Sequence, residues 1–129
     1  MDLTYTGDDL AFRDQVRAFL EAELPADLRH KVDNHLRLQK DDYVRWHRIL
    51  ARRGWAAPGW PREYGGPGWT PAQRQIFHEE CARAGPPPVL PFGVTMVAPV
   101  IMAFGSEAQK DYFLPRILSC EDWWCQGSY

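Results

Sequence analysis

Three times the chain repeats one helix-start signal: Thr6 with Asp9, Thr70 with Gln73, and Ser106 with Gln109. A hydroxyl that can accept from the N–H three residues on, answered by a side chain that reaches back, is a capping box. Each box opens a run with apolar residues at helical rather than strand spacing. In the first run Phe12, Val16, Phe19 and Leu20 fall at i, i+4, i+7 and i+8, Asp8 and Asp9 suit the positive end of the helix dipole, and Pro25 ends the run. In the second, Pro71 occupies the first helical position and Ile76, Phe77, Glu80, Cys81 and Ala84 share a stripe. No alternating strand pattern and no internal repeat competes with these helices.

The intervening sequence gives a coarser reading. Residues 26–41 are charged and mixed, and read as a loop with one loose turn at most. A further helix is expected from Asp42 to Arg53, with Tyr43, Trp46, His47 and Leu50 on one face and Gly54 at its end. "GWAAPGWPREYGGPGWTPAQ" is too rich in Gly and Pro for a helix or central strand, and reads as an ordered loop clamped by aromatics. Val94 to Phe104 is apolar on nearly every side, the mark of a helix buried between neighbours, and Pro99 should kink or divide it. The last helix is expected from Ser106 to about Leu114, after which the chain turns away. The fold class is all-α, a bundle of about five or six helices with one Gly/Trp-rich loop.

The 129 residues are 45% hydrophobic and 25% charged, which suits one globular domain, and the net charge of −2 offers no basic stripe to a nucleic-acid backbone. "MDLTYTGDDL" lacks the basic and apolar regions of a secretory signal, and the longest apolar stretch falls short of the ~20 residues of a spanning helix. A cytoplasmic location without a membrane span is the expectation. Three cysteines make no disulfide framework. His78 and Cys81, three apart, are a conceivable ligand pair without a second pair to complete a metal set; ordinary side chains are the simpler reading, and no metal is expected. Gly65, Gly66 and Gly68 permit a phosphate loop, but neither GxxxxGK[ST] nor GxGxxG is present, so a structural turn is preferred. Glu79 and Glu80 point apart on a helix, so they are solvated charges or one partly buried partner of an arginine. His47 lies among aromatics and reads as core.

Four segments occur in order: "AFRDQVRAFL", "RGWAAPGWPREYGGPGWTP", "EECARAGPP" and "APVIMAFGSEAQKDYFLPRILSCEDWWCQG". Together they resemble the N-terminal helical domain of the acyl-CoA dehydrogenase family over nearly the whole chain. "VLPFGVTMVAPVIMAFG" and "WWCQG" are most similar to the bacterial large subunit of pimeloyl-CoA dehydrogenase. The resemblance implies residues 1–122 as the helical domain and 123–129 as the start of a truncated middle β-domain.

It also implies a flavoprotein, with FAD as cofactor, that oxidises acyl-CoA to 2,3-enoyl-CoA and passes electrons to an electron-transfer flavoprotein. The family's catalytic glutamate belongs to a C-terminal bundle that forms the oligomer, so no catalytic residue is expected in this chain and the chain alone is expected to be inactive. Gln126, Gly127, Ser128 and Tyr129 fall where the flavin segment begins, although Ser128-Tyr129 reverses the family's aromatic-then-serine order. Val94, Met96 and Val97 resemble the stretch that touches the acyl tail; core packing accounts for apolar residues there as well. A pimeloyl-like substrate would want a cation for its distal carboxylate, with Arg53, Arg62, Arg74 and Arg83 as candidates. The alternative is a non-catalytic helical module that keeps the fold and binds a partner subunit.

Overall fold

The computed structural model describes residues 4–127. Six α-helices follow in order: α1 (Gly7–Glu23), α2 (Ala26–Asp33), α3 (Lys40–Arg53), α4 (Pro71–Ala84), α5 (Ala98–Phe104) and α6 (Glu107–Leu118). A 3₁₀ turn spans Arg62–Tyr64 and a π-helix spans Phe92–Val97. All three capping boxes form, with Thr6, Thr70 and Ser106 as N-caps. The chain divides into two compact units, one made of the residues up to Asp42 with Trp69–Pro87, the other of Tyr43–Gly68 with the residues from Pro88 on.

In the first unit α1 packs on α4. Phe12, Val16 and Leu20 are buried from α1, Ile76 and Phe77 from α4. The Trp69 ring lies 5.2 Å from Phe12 and 5.0 Å from Phe77, joining the start of α4 to α1. Glu80 is buried on α4 and accepts from Arg17 Nε at 2.8 Å and Nη2 at 3.1 Å, so the carboxylate is taken up by an arginine. Residues 26–41 depart from the loop expected of them. Asp27 in the first turn of α2 and His30 and Lys31 in its last match the dipole, and Leu28 is fully buried. With one buried residue in eight, α2 shows no apolar period to read. Helix α3 starts two residues earlier than expected, because Asp42 accepts from the Gln39 N–H at 2.8 Å and from Lys31 Nζ at 2.8 Å.

The second unit holds most of α3, the Gly/Trp-rich loop, the π-helix, α5 and α6. Ala57, Trp60, Val94, Ala98, Leu114 and Ile117 form its core cluster. Gly54, at φ +85°, closes α3, and the Trp55 N–H reaches back to the Leu50 carbonyl at 2.9 Å. A Cβ on Gly66 would overlap the Trp60 carbonyl oxygen, so glycine is demanded there by close approach of two backbones. Helix α6 runs on to Leu118, past the end expected near Leu114, and carries Pro115 inside it. Proline removes one helical hydrogen bond. Its ring faces outward, while Leu114 and Ile117 beside it are each 2% exposed, and that burial keeps the turn helical.

Candidate functional site

The apolar segment Val94–Phe104 is where the second unit departs furthest from regular helix. Proline at position 99 has no N–H, and its ring crowds the carbonyl four residues back. The chain relieves this by widening: the Ala98 N–H bonds the Gly93 carbonyl, five residues back, in the π pattern. In that register the Val94 carbonyl would take its hydrogen bond from residue 99, which has none to give. The Trp60 indole supplies it instead, with Nε1 donating to the Val94 oxygen at 2.8 Å in the buried core. Thr95 Oγ1 donates to the Pro91 carbonyl at 3.0 Å at the other end of the turn.

Trp124 backs the same turn. A Cβ added at Gly93 would come within 3.1 Å of Ile117 Cγ2 and 3.3 Å of Trp124 Cδ1, so the absent side chain makes room for the indole. The Phe113 ring meets Trp124 edge-on at 5.9 Å. The Trp124 indole N–H is buried with no partner among the described residues, so its contribution is packing.

These contacts separate the three residues expected along the acyl tail. Val94 is 4% exposed and belongs to the core, and Val97 is half-buried against it. Met96 is 44% exposed, and Val100 and Phe104 follow it at 56% and 86%. The expected all-round burial of this segment is therefore corrected: positions 96, 100 and 104 form one open apolar stripe, at the spacing of successive helical turns. Such a stripe is a candidate contact surface.

The segment expected to meet flavin follows α6. Arg116 holds Asp122 through Nε at 2.9 Å and Nη2 at 2.7 Å, and reaches Glu121 at 3.1 Å, which pins the turn after the helix. The hydrogen bond from Arg116 holds the Asp122 carboxyl below its ordinary value. Nearby, the His47 ring bonds the Leu118 carbonyl at 2.9 Å through Nε2. Burial lowers the His47 pKa, so the neutral ring donates that bond, joining α3 to the end of α6. Gln126 and Gly127 are exposed beyond this turn, and Gly127 has open space on its Cα. Ser128 and Tyr129 lie outside the described residues. The cavity bounded by Tyr43, His47, Cys120 and Trp124 has a volume of about 30 Å³, room for a water and far too small for a flavin ring. The described residues do not by themselves fit FAD.

A larger cavity of about 370 Å³ lies in the first unit, where Arg17, Arg29 and Arg83 surround Glu80 over an apolar floor of Leu20, Leu24 and Ala84. Its arginines are engaged: Arg17 and Arg83 with Glu80, Arg29 with Asp33.

Residues 6–121 match the family model for the acyl-CoA dehydrogenase N-terminal domain. The chain belongs to the acyl-CoA dehydrogenase family. Acyl-CoA dehydrogenase IpdE1 of Mycobacterium tuberculosis is 45% identical over 83 residues, 64% of this chain and 22% of that protein. Acyl-CoA dehydrogenase FadE26 of the same organism is 51% identical over 69 residues, 53% of this chain and 17% of that protein. Among solved structures, the ChsE4–ChsE5 complex from M. tuberculosis superposes with a TM-score of 0.74 at 34% identity, covering 92% of this chain and 29% of that one. The Tcur3481–Tcur3483 steroid ACAD gives 0.75 at 36% identity, covering 92% and 30%. The chain thus spans about a fifth of the length of the curated relatives it matches. Among the described residues no helix is long and apolar enough to cross a membrane.

Sequence reasoning found the apolar segment and its proline but missed Trp60 and Trp124 as its supports. Pro99 was the available signal, since a carbonyl facing a missing N–H needs another donor, and indoles are abundant in this chain.

Proposed function

We propose that this acyl-CoA dehydrogenase domain forms one wall of the acyl pocket of a flavin-dependent enzyme that oxidises acyl-CoA to 2,3-enoyl-CoA. The single observation that carries the reading is the open apolar stripe from Met96 through Val100 to Phe104 on a family-typical helical domain. The wall excludes water and offers apolar surface to the acyl chain. FAD, the base and the β-domain belong to the remainder of the enzyme; Gln126 and Gly127, with Ser128 and Tyr129, lead toward the flavin. Residues 123–129 then start the middle domain after a helical domain of residues 1–122. Electrons leave through an electron-transfer flavoprotein, and the family match favours this enzyme over a free-standing interaction module.

The acyl group we favour is bulky and steroid-derived, since a steroid ACAD superposes over 92% of the chain. A pimeloyl-like dicarboxylyl group has less support. Of the four arginines considered for a distal carboxylate, Arg53 lies over the Trp55 ring at 4.2 Å and Arg83 approaches Glu80. The working enzyme is expected to be an oligomer with a second subunit, as the ChsE4–ChsE5 relative is a complex.

The test is to express the full-length protein together with a second dehydrogenase subunit and add steroid-derived, pimeloyl and straight-chain acyl-CoA anaerobically. Bleaching of bound flavin by the steroid thioester is expected. A purified full-length protein without flavin would overturn the enzymatic reading; reduction by the other thioesters alone would overturn the acyl class.

A further inference from the structure

The π-helix Phe92–Val97 presents Met96, and the crowding by Pro99 that favours its width is joined by two side-chain contacts. An isolated turn could rewind by moving the Ala98 N–H from the Gly93 carbonyl to the Val94 carbonyl, the ordinary α bond. Two side chains oppose this. Trp60 Nε1 donates to the Val94 oxygen at 2.8 Å and satisfies it in the buried core, so moving the Ala98 N–H there would leave the Gly93 carbonyl short of a donor for little gain. Trp124 and Ile117 fill the space over Gly93, and the Phe113 ring meets Trp124 edge-on. Rewinding would turn the residues ahead of Ala98 about the helix axis, Met96 included.

We propose that Trp60 and Trp124 are positioning residues for the acyl-facing wall: they lock Phe92–Val97 in the π register, and that register sets Met96 at the surface. Neither residue touches the acyl chain; each acts through the turn it braces. The step to acyl selectivity rests on the reading of Met96 given above, whereas the lock itself is a property of this chain. Narrowing the turn is predicted to change which acyl shapes the wall accepts.

The lock is read by NMR on the full 129-residue chain, isotope-labelled, through the scalar coupling across the Ala98 hydrogen bond. The chain has three methionines, so a methyl-labelled Met96 gives a resolvable second probe. In the unaltered chain the coupling joins Ala98 N to Gly93 C=O. Trp60→Phe keeps a ring and removes the N–H; the coupling is expected to move to Val94 C=O, and the Met96 methyl resonance to shift further than that of Met102. An Ala98 bond that stays on Gly93 in Trp60→Phe overturns the proposal.

A second pair of variants serves if Trp60→Phe does not fold. Gly93→Ala is expected to displace Trp124 and shift Met96, and Trp124→Ala, which empties the same space, is expected to shift it as well. An unmoved Met96 in Gly93→Ala overturns the lock equally. In the assembled enzyme, Trp60→Phe is expected to change the ratio of KM values for bulky and straight acyl-CoA while leaving kcat for the straight one unchanged. If the coupling moves and that ratio does not, the lock stands and the acyl-wall reading of Met96 fails.

Discussion

Truncating Arg17 is predicted to destabilise the protein more than neutralising Glu80, the residue it pairs with. The Glu80 side chain is 7% exposed and that of Arg17 is 38% exposed. Arg17→Ala leaves a carboxylate stranded in the α1–α4 interface. Breaking a fully buried pair costs ~3–5 kcal/mol. Arg17 is partly hydrated and Arg83 Nη1 stands 3.8 Å from Glu80, so the loss is discounted to about 2 kcal/mol. Glu80→Gln removes the buried charge and leaves a guanidinium that water can reach, at a cost of about 1 kcal/mol. Arg83→Ala, from a side chain 69% exposed at long range, stays within about 0.5 kcal/mol. The double change Arg17→Met with Glu80→Leu is expected to be near neutral, because an apolar pair avoids desolvating two charges. Urea denaturation followed by circular dichroism measures all four. Equal losses for Arg17→Ala and Arg83→Ala would refute the reasoning, as would Glu80→Gln proving the costlier single change.

Gly66→Ala is expected to lower the soluble yield sharply, since its Cβ meets the Trp60 carbonyl oxygen, whereas Gly7→Ala, with nothing within 4 Å, is tolerated; comparative expression and thermal melting check both. His47 has a folded pKa below its unfolded value, so the unfolded chain binds the extra proton; stability is unaffected by this group above pH ~6.5 and falls as pH drops from there toward the folded pKa. His47→Gln should flatten that part of the acid-unfolding curve, leaving the lower-pH loss from Asp122, whose depressed pKa contributes stability above its unfolded value that disappears as pH falls through the folded one. Exposed Cys125 should alkylate in the native chain, while Cys81, pushed up to about 12 by burial, and buried Cys120 react only on unfolding; peptide mass spectrometry after iodoacetamide decides it.

Much of this domain was legible in one dimension because its causes are local. A Thr or Ser with its partner three residues on determines where α1, α4 and α6 begin, through bonds that span a single turn. Gly54 ends α3 for an equally local reason, its positive φ. Of the four residues in the apolar period of α1, Phe12, Val16 and Leu20 are buried, and Phe19 is only partly so. The family itself follows from segments in order and spacing.

Tertiary structure decided what local rules leave open. Helix α2 exists because Leu28 finds a buried seat, a fact that eight mixed residues do not announce. Helix α6 passes through Pro115 because burial of Leu114 and Ile117 outweighs one missing bond. Pro99 marked a break, but its form, a π turn with an indole standing in for an amide, depended on Trp60, 34 residues before Val94 in sequence. Which side of the apolar segment stays open was likewise invisible: Val94, Met96 and Val97 are equally apolar, and only packing separates the core residue from the exposed one.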